Sequence, residues 1–180
     1  MYTRQHDTVI KSDKIIRFIL WVLYLCLKIV YMFSKACEYS IRAAIFIASR
    51  SMDGKRANLK EISAAIDSPE AFTAKLLQQL VREGIIESVK GAQGGFEVQK
   101  RRISKIKLCD IVNAIDGDDI YKMCGLGLKA CSSKNPCPVH YKFMAVRSSL
   151  KEMLNDVSLQ QLSQGFKEGK TLLALKDIRT

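Results

Sequence analysis

"SPEAFTAKLLQQLVREGIIESVKGAQGGFEV", Ser68 to Val98, decides the fold. Its first half is helical by period: Phe72, Leu76, Leu77 and Leu80 recur three and four residues apart and make one apolar stripe. Ser68 is placed to cap that helix, and Pro69 stands at the first helical position, where its missing N–H costs nothing. Gly84 supplies the left-handed residue that ends it. The second half changes period. Two short β-type runs, Ile85–Val89 and Phe96–Gln99, flank a glycine-rich turn, which predicts a hairpin.

Working upstream, "SKACEYSIRAAIFIASRS" (34–51) has helix formers, an apolar face and Ser34 as a cap. "MDGKRAN" reads as a turn, and Asn58 with Glu61 forms a capping box that opens a short helix over "NLKEISAAI". Helix, short helix, turn, helix, hairpin is the order of a winged helix–turn–helix, so the fold class is mainly α with a small β-hairpin wing. In that arrangement the second helix of the pair enters the major groove and the hairpin lies along the backbone or minor groove. The residues set to face double-stranded DNA are Ser68, Glu70, Ala71, Thr73, Ala74, Lys75, Gln78 and Gln79, because Thr, Lys and Gln reach base edges or phosphates. Lys90 sits at the hairpin tip with Gln93 beside it, where a long cation suits a narrow minor groove. "KRRISKIK" follows, and Lys100, Arg101 and Arg102 are candidates for phosphate contact.

Composition agrees. The chain has 180 residues, 48% hydrophobic and 26% charged, enough for one globular domain with appendages. The net charge of +11 calls for a polyanionic partner, nucleic acid or an anionic membrane surface. No nucleophile–base pair or phosphate-binding loop points to an enzyme, and no small-molecule substrate is indicated.

Six cysteines are too few for a disulfide scaffold in a chain of this size. Cys26, Cys37 and Cys109 lie in apolar segments and read as buried thiols. The other three crowd into "MCGLGLKACSSKNPCPVH", with the spacing Cys124-x6-Cys131-x5-Cys137-x2-His140. Thiolates with an imidazole are ligands for an iron–sulfur cluster, and glycines at 125 and 127 let the loop wrap a wide centre. Three Cys and one His also make a tetrahedral zinc set, although structural zinc favours shorter gaps. Thiol-only redox chemistry is the third reading.

Beyond the loop, Phe143, Val146, Leu150, Met153 and Val157 alternate at steps of three and four, a heptad seam suited to a two-fold dimer. Ser158 opens a capping box, so the long helix stops near it. After Gly165 the signals weaken, and a frayed tail is expected.

Residues 15–33 are strongly apolar, but Arg17 and Lys28 bracket a short uninterrupted run, against the roughly 20 residues a spanning helix wants. A membrane anchor, an extra helix and upstream sequence read from a wrongly chosen start codon remain. The last is favoured, with Met32 as the start; without residues 1–31 the charge is still +8. A membrane-tethered interaction protein is the reading if residues 1–31 are expressed and inserted.

"MFSKACEYSIRAA", the Ser68–Val98 stretch, "ISKIKLCDIVNAIDG" and the cysteine loop occur in the order seen in the Rrf-two family of bacterial winged-helix transcription regulators, which the chain resembles over about Met32 to Gly165. Family proteins usually start two or three residues before the first helix, as Met32 does. The resemblance implies a cytoplasmic, homodimeric DNA-binding repressor or activator whose loop holds an iron–sulfur cluster and senses redox state, nitric oxide or cluster status. Some members lack a cluster and respond through thiols or partners. The family loop commonly has five residues in both gaps, against six in the first gap here. The fourth ligand is His140 in assembly-regulator-like members, and a carboxylate from the partner's first helix in nitric-oxide sensors, which matches Glu38 of the partner subunit. His140 is preferred for its local Cys-x2-His spacing.

The resulting organisation is an apolar extension (1–31), a winged helix–turn–helix (32–107), an effector region (108–140), a dimerisation helix with a short end helix (141–165) and a tail (166–180).

Overall fold

The computed structural model describes residues 32–91, 93–128 and 131–173; the apolar extension 1–31 and its alternative readings lie outside the described residues. Among the described residues, no helix is long and apolar enough to cross a membrane.

The first helix, α1 (Lys35–Met52), is the axis of the domain. Ser34 caps it by accepting from the Cys37 N–H at 3.1 Å, and Asp116 accepts from the Ser34 N–H at 2.9 Å. Ala43, Ala44, Ile47 and Ala48 are fully buried, and the three alanines let neighbouring helices approach closely. Helix α2 (Leu59–Ile66) carries the expected capping box, Asn58 with Glu61, and ends at Asp67, which takes a left-handed φ of 53°. After a tight turn comes α3 (Glu70–Arg82), whose buried face is Thr73, Leu76, Leu77 and Leu80. Pro69 takes the cap position rather than the first turn, so the helix begins one residue later than the sequence reading places it, and no side chain caps it. Phe72 sits at the margin of the stripe, 36% exposed and edge-on to Tyr39 at 5.7 Å.

The hairpin pairs β1 (Glu87–Val89) with β2 (Gly95–Glu97) antiparallel, Ser88 opposite Phe96. The segment before α2 adds a rung, with Ala57 and Phe96 exchanging N–H···O bonds of 3.1 and 2.8 Å. The paired glycines of the turn are steric necessities. A Cβ on Gly94 would lie 2.4 Å from the Val89 carbonyl oxygen, and Gly95 has a φ of 145° with Ala57 O against it.

The basic run forms a short helix, α4 (Lys100–Ile103), anchored by buried Ile103. Helix α5 (Leu108–Asp116) stops at Gly117, φ 73°, and a 3₁₀ turn, η1 (Asp119–Tyr121), leads into the cysteine loop. Helix α6 (His140–Asp156) begins at His140, and α7 (Leu159–Lys167) opens on the expected Ser158–Gln161 capping box. Residues 106–108 pair with 157–159 through Leu108 N–H to Val157 O, 2.9 Å, and Leu159 N–H to Ile106 O, 2.8 Å.

The main core lies between α1, α2, α3, α5 and α7. A smaller cluster of Cys37, Cys109, Val112 and Leu154 joins α1, α5 and α6. Beyond Gly165 the chain is not frayed through residue 173. Phe166 packs on Phe46, Leu173 is 6% exposed, and Arg42 Nη1 donates to Leu173 O at 3.1 Å. The physical reason is tertiary: an apolar side chain returns to α1 from a segment with no period of its own.

Candidate effector site and nucleic-acid interface

The cysteine loop hangs between two fixed ends. At one end, Met123 N–H donates to Asp119 O at 2.8 Å, and Met123 O accepts from Arg147 Nη1 at 2.6 Å. At the other, His140 N–H donates to Cys137 O at 3.0 Å as α6 begins. Gly125 lies against the Phe143 ring so closely that a Cβ would come within 2.4 Å of it.

The three thiols are not equivalent. Cys131 Sγ lies 3.3 Å from His140 Nδ1 and accepts from Arg147 Nη2 at 3.3 Å. Cys124 is placed so that the backbone N–H groups of Leu126 and Leu128 stabilise its thiolate; with help from the Cys137 thiol and the Arg147 guanidinium, and against some desolvation, they hold it below the ordinary thiol range. Cys124, Cys131 and Cys137 are all free of disulfides. His140 is 5% exposed, and its Nε2 is buried without a hydrogen-bond partner. The chemistry of this set suits an iron–sulfur centre: three thiols, one held toward its thiolate, and a buried imidazole nitrogen with nothing else to bond. Among the described residues no three such donors are gathered closely enough to ligate a single ion. Glu38, the other candidate for the fourth position, lies in the first turn of α1 and pairs with Lys35 at 2.7 Å.

Cys37 and Cys109 lie in the smaller core cluster. Burial first, then the Asp116 carboxylate, pushes Cys37 up to about 12. Burial also raises Cys109, whose thiol donates to Asn155 Oδ1 with Sγ 2.9 Å away. Cys26 lies outside the described residues.

Helix α3 exposes Glu70, Ala71, Lys75 and Gln78, with Ala74 half-buried. Thr73 is corrected: expected on the exposed face, it is fully buried, three residues before Leu76 and four before Leu77, on their side of the helix. Gln79 is half-buried, and its Nε2 donates to Ala114 O at 2.8 Å, tying α3 to the last turn of α5. The Ser68 hydroxyl is buried without a partner. Lys90 and Gln93 are exposed at the wing, as are Lys100 and Arg101 on α4, whereas Arg102 is half-buried.

Two arginines escape the sequence reading. Arg56 Nε donates to Glu97 Oε2 at 2.9 Å, and its Nη1 donates to Gln93 O at 3.2 Å, so it braces the wing. Arg147 bridges the two halves of the cysteine loop. Its signal was available, since it stands seven residues after His140 and so on the same face of α6.

Along α6, Phe143, Val146 and Met153 are exposed at 39%, 63% and 45%. Leu150 packs on the smaller core cluster, and Val157 is half-buried at the helix end.

The model of the Rrf2 family, described as iron-dependent transcriptional regulator, matches residues 33–165. The chain belongs to the Rrf2 family. A putative HTH-type transcriptional regulator of Aquifex aeolicus is 30% identical over 72% of this chain and 90% of its own length. The HTH-type transcriptional regulator IscR of Yersinia pestis is 26% identical over 69% of this chain and 74% of its own. These Rrf2 relatives are transcriptional regulators, not enzymes. Among solved structures, CymR, the global cysteine regulator of B. subtilis, has a TM-score of 0.59 at 19% identity, over 73% of this chain and 95% of that one. T. potens IscR also scores 0.59 at 19%, over 83% and 98%. At that identity the likeness speaks for the fold, a winged-helix Rrf2 fold.

Proposed function

We propose that this Rrf2-family transcriptional regulator acts as a cytoplasmic homodimer whose cysteine loop, through Cys124, Cys131, Cys137 and His140, holds an iron–sulfur cluster that governs DNA binding. The observation that supports the reading is the buried His140 at the head of α6, its Nε2 unpartnered and its Nδ1 3.3 Å from Cys131 Sγ, in a loop that also carries the free thiols of Cys124 and Cys137. Such a cluster supplies redox- and nitric-oxide-responsive chemistry when bound.

The rest falls to the chain's own side chains. Glu70, Ala71, Lys75 and Gln78 on α3 meet the major groove, and Lys90, Gln93, Lys100 and Arg101 hold the flanking backbone. Gln79 transmits the position of α5, and with it the start of the loop, to α3. Phe143, Val146 and Met153 meet their counterparts on a second copy, setting the distance between two recognition helices.

Anaerobic purification with an absorption spectrum and analysis for iron, sulfide and zinc tests the cluster. Visible absorption with iron and sulfide in comparable amounts is expected. A colourless protein with stoichiometric zinc would overturn the reading in favour of a zinc-stabilised regulator.

A further inference from the structure

A cavity lies outside the cysteine loop, between α5, η1 and α6. It encloses about 420 Å³, and Asn113, Tyr121, Met144, Arg147, Ser148 and Lys151 line it. Lys122 and Asp118 line it as well, paired with each other and so electrically balanced. The remaining charge is Arg147 and Lys151, and among the described residues no carboxylate pairs with either. Arg147 spends two N–H donors on Met123 O and Cys131 Sγ, which leaves three of its five. Ser148 and Asn113 add neutral donors, and the Tyr121 ring and Met144 supply an apolar wall.

Two unpaired cations, two neutral donors and one apolar side in a cleft of this size describe a receptor for a small organic anion. The cleft is too large for an inorganic ion alone and too polar for a hydrocarbon. Met144, Arg147, Ser148 and Lys151 share one face of α6, roughly a third of a turn away from Phe143, Val146 and Met153, so pairing along the apolar seam leaves the cleft open.

We propose that this cleft binds a small organic dianion, a dicarboxylate or a phosphate ester, through Arg147 and Lys151, and that the bound anion draws Arg147 away from Cys131. Arg147 is the shared element. An anion that takes its guanidinium competes with the Cys131 sulfur and the Met123 carbonyl, so cleft and loop are linked thermodynamically, in both directions. The binding half stands without a cluster; the regulatory half rests on the cysteine loop being the effector site.

The test uses the full chain, metal-free and reduced, titrated calorimetrically with succinate and separately with glycerol 3-phosphate. Saturable binding of at least one probe with a Kd on the order of 1 mM or tighter is expected, and Lys151→Met should weaken it about tenfold. Lys60→Met, on α2 and away from the cleft, should bind as wild type. Preference for one probe assigns the anion as carboxylate or phosphate ester. No saturation by either, or equal loss in both variants, overturns the site. Alkylation of Cys131, followed by mass spectrometry, should change severalfold in rate when the cleft is saturated, and not in Lys151→Met; an unchanged rate with intact binding overturns the link to the loop. Because these measurements use metal-free protein, they stand or fall separately from the cluster.

Discussion

Replacing Arg56 with alanine should loosen the wing without removing a phosphate contact. Arg56 grips Glu97 with two nitrogens, at 2.9 and 3.4 Å, and the Gln93 carbonyl at 3.2 Å. Glu97 stands directly across the hairpin from Glu87, a like-charged pair. Arg56 offsets that repulsion on one side, and Gln99, bonded to Glu87, eases it on the other. The ion pair is part-exposed, so it contributes about 0.5–1 kcal/mol. The charged donor on the tip carbonyl adds about 1 kcal/mol, and the uncovered Glu87–Glu97 repulsion a few tenths. The total, about 2 kcal/mol, falls on strands of three residues, so it acts as local opening more than as global unfolding. If only the formed wing binds DNA, affinity drops by up to about 30-fold. Anisotropy titrations of a selected duplex over a series of salt concentrations read two quantities at once. The affinity should fall while the slope of log K against log salt stays within about 0.3 of wild type, because Arg56 is spent on Glu97 and Gln93. Glu97→Gln in the Arg56→Ala background should recover part of the loss. A slope smaller by about 1, with no recovery, would refute the bracing role and make Arg56 a phosphate contact.

Three further outcomes are expected. Thr73→Val should raise stability by about 1 kcal/mol in urea denaturation, because the buried Thr73 hydroxyl has no partner, and should leave DNA affinity unchanged; a large loss of affinity would return Thr73 to the interface. Cys37, held up to about 12 from 9.0, keeps its proton in the folded state where the unfolded chain loses it, so stability should fall as pH rises above about 9, by roughly 1.4 kcal/mol per unit. Cys37→Ala should flatten that slope in part, since Cys109 and Tyr121 are raised as well. Leu173→Ala should cost about 2–3 kcal/mol in thermal or urea unfolding, and an unchanged midpoint would show that the tail does not contribute to the core.

The fold was readable where its signals are local. The two capping boxes and Gly84 mark element ends through bonds within a few residues, and the structure keeps them. Thr73 was misread by chemical type: its hydroxyl suggested exposure, although its spacing from Leu76 and Leu77 puts it on the buried stripe. Gln79 and Leu173 were illegible for a different reason. Each finds its partner, Ala114 in one case and the α1 core in the other, through tertiary packing that leaves no periodic trace. In the cysteine loop the sequence supplied the donors but not their company. Only the path of the loop brings Arg147 and His140 to Cys131 and leaves Cys124 beside Cys137.

The seating of α7 on α1 sets a timetable for synthesis. Ser163 Oγ donates to Ile45 O across 118 residues of sequence, Phe46 meets Phe166, and Lys167 pairs with Asp53. The apolar side of α1 therefore leaves the ribosome long before its cover. At about 5–20 residues per second, that face waits roughly 6–24 s for α7. During that interval the nascent winged helix carries an open hydrophobic flank, a surface for a holding chaperone. A fragment ending at residue 107 would carry the same flank permanently, so truncating the protein to its DNA-reading head should yield an aggregating polypeptide rather than a minimal DNA binder.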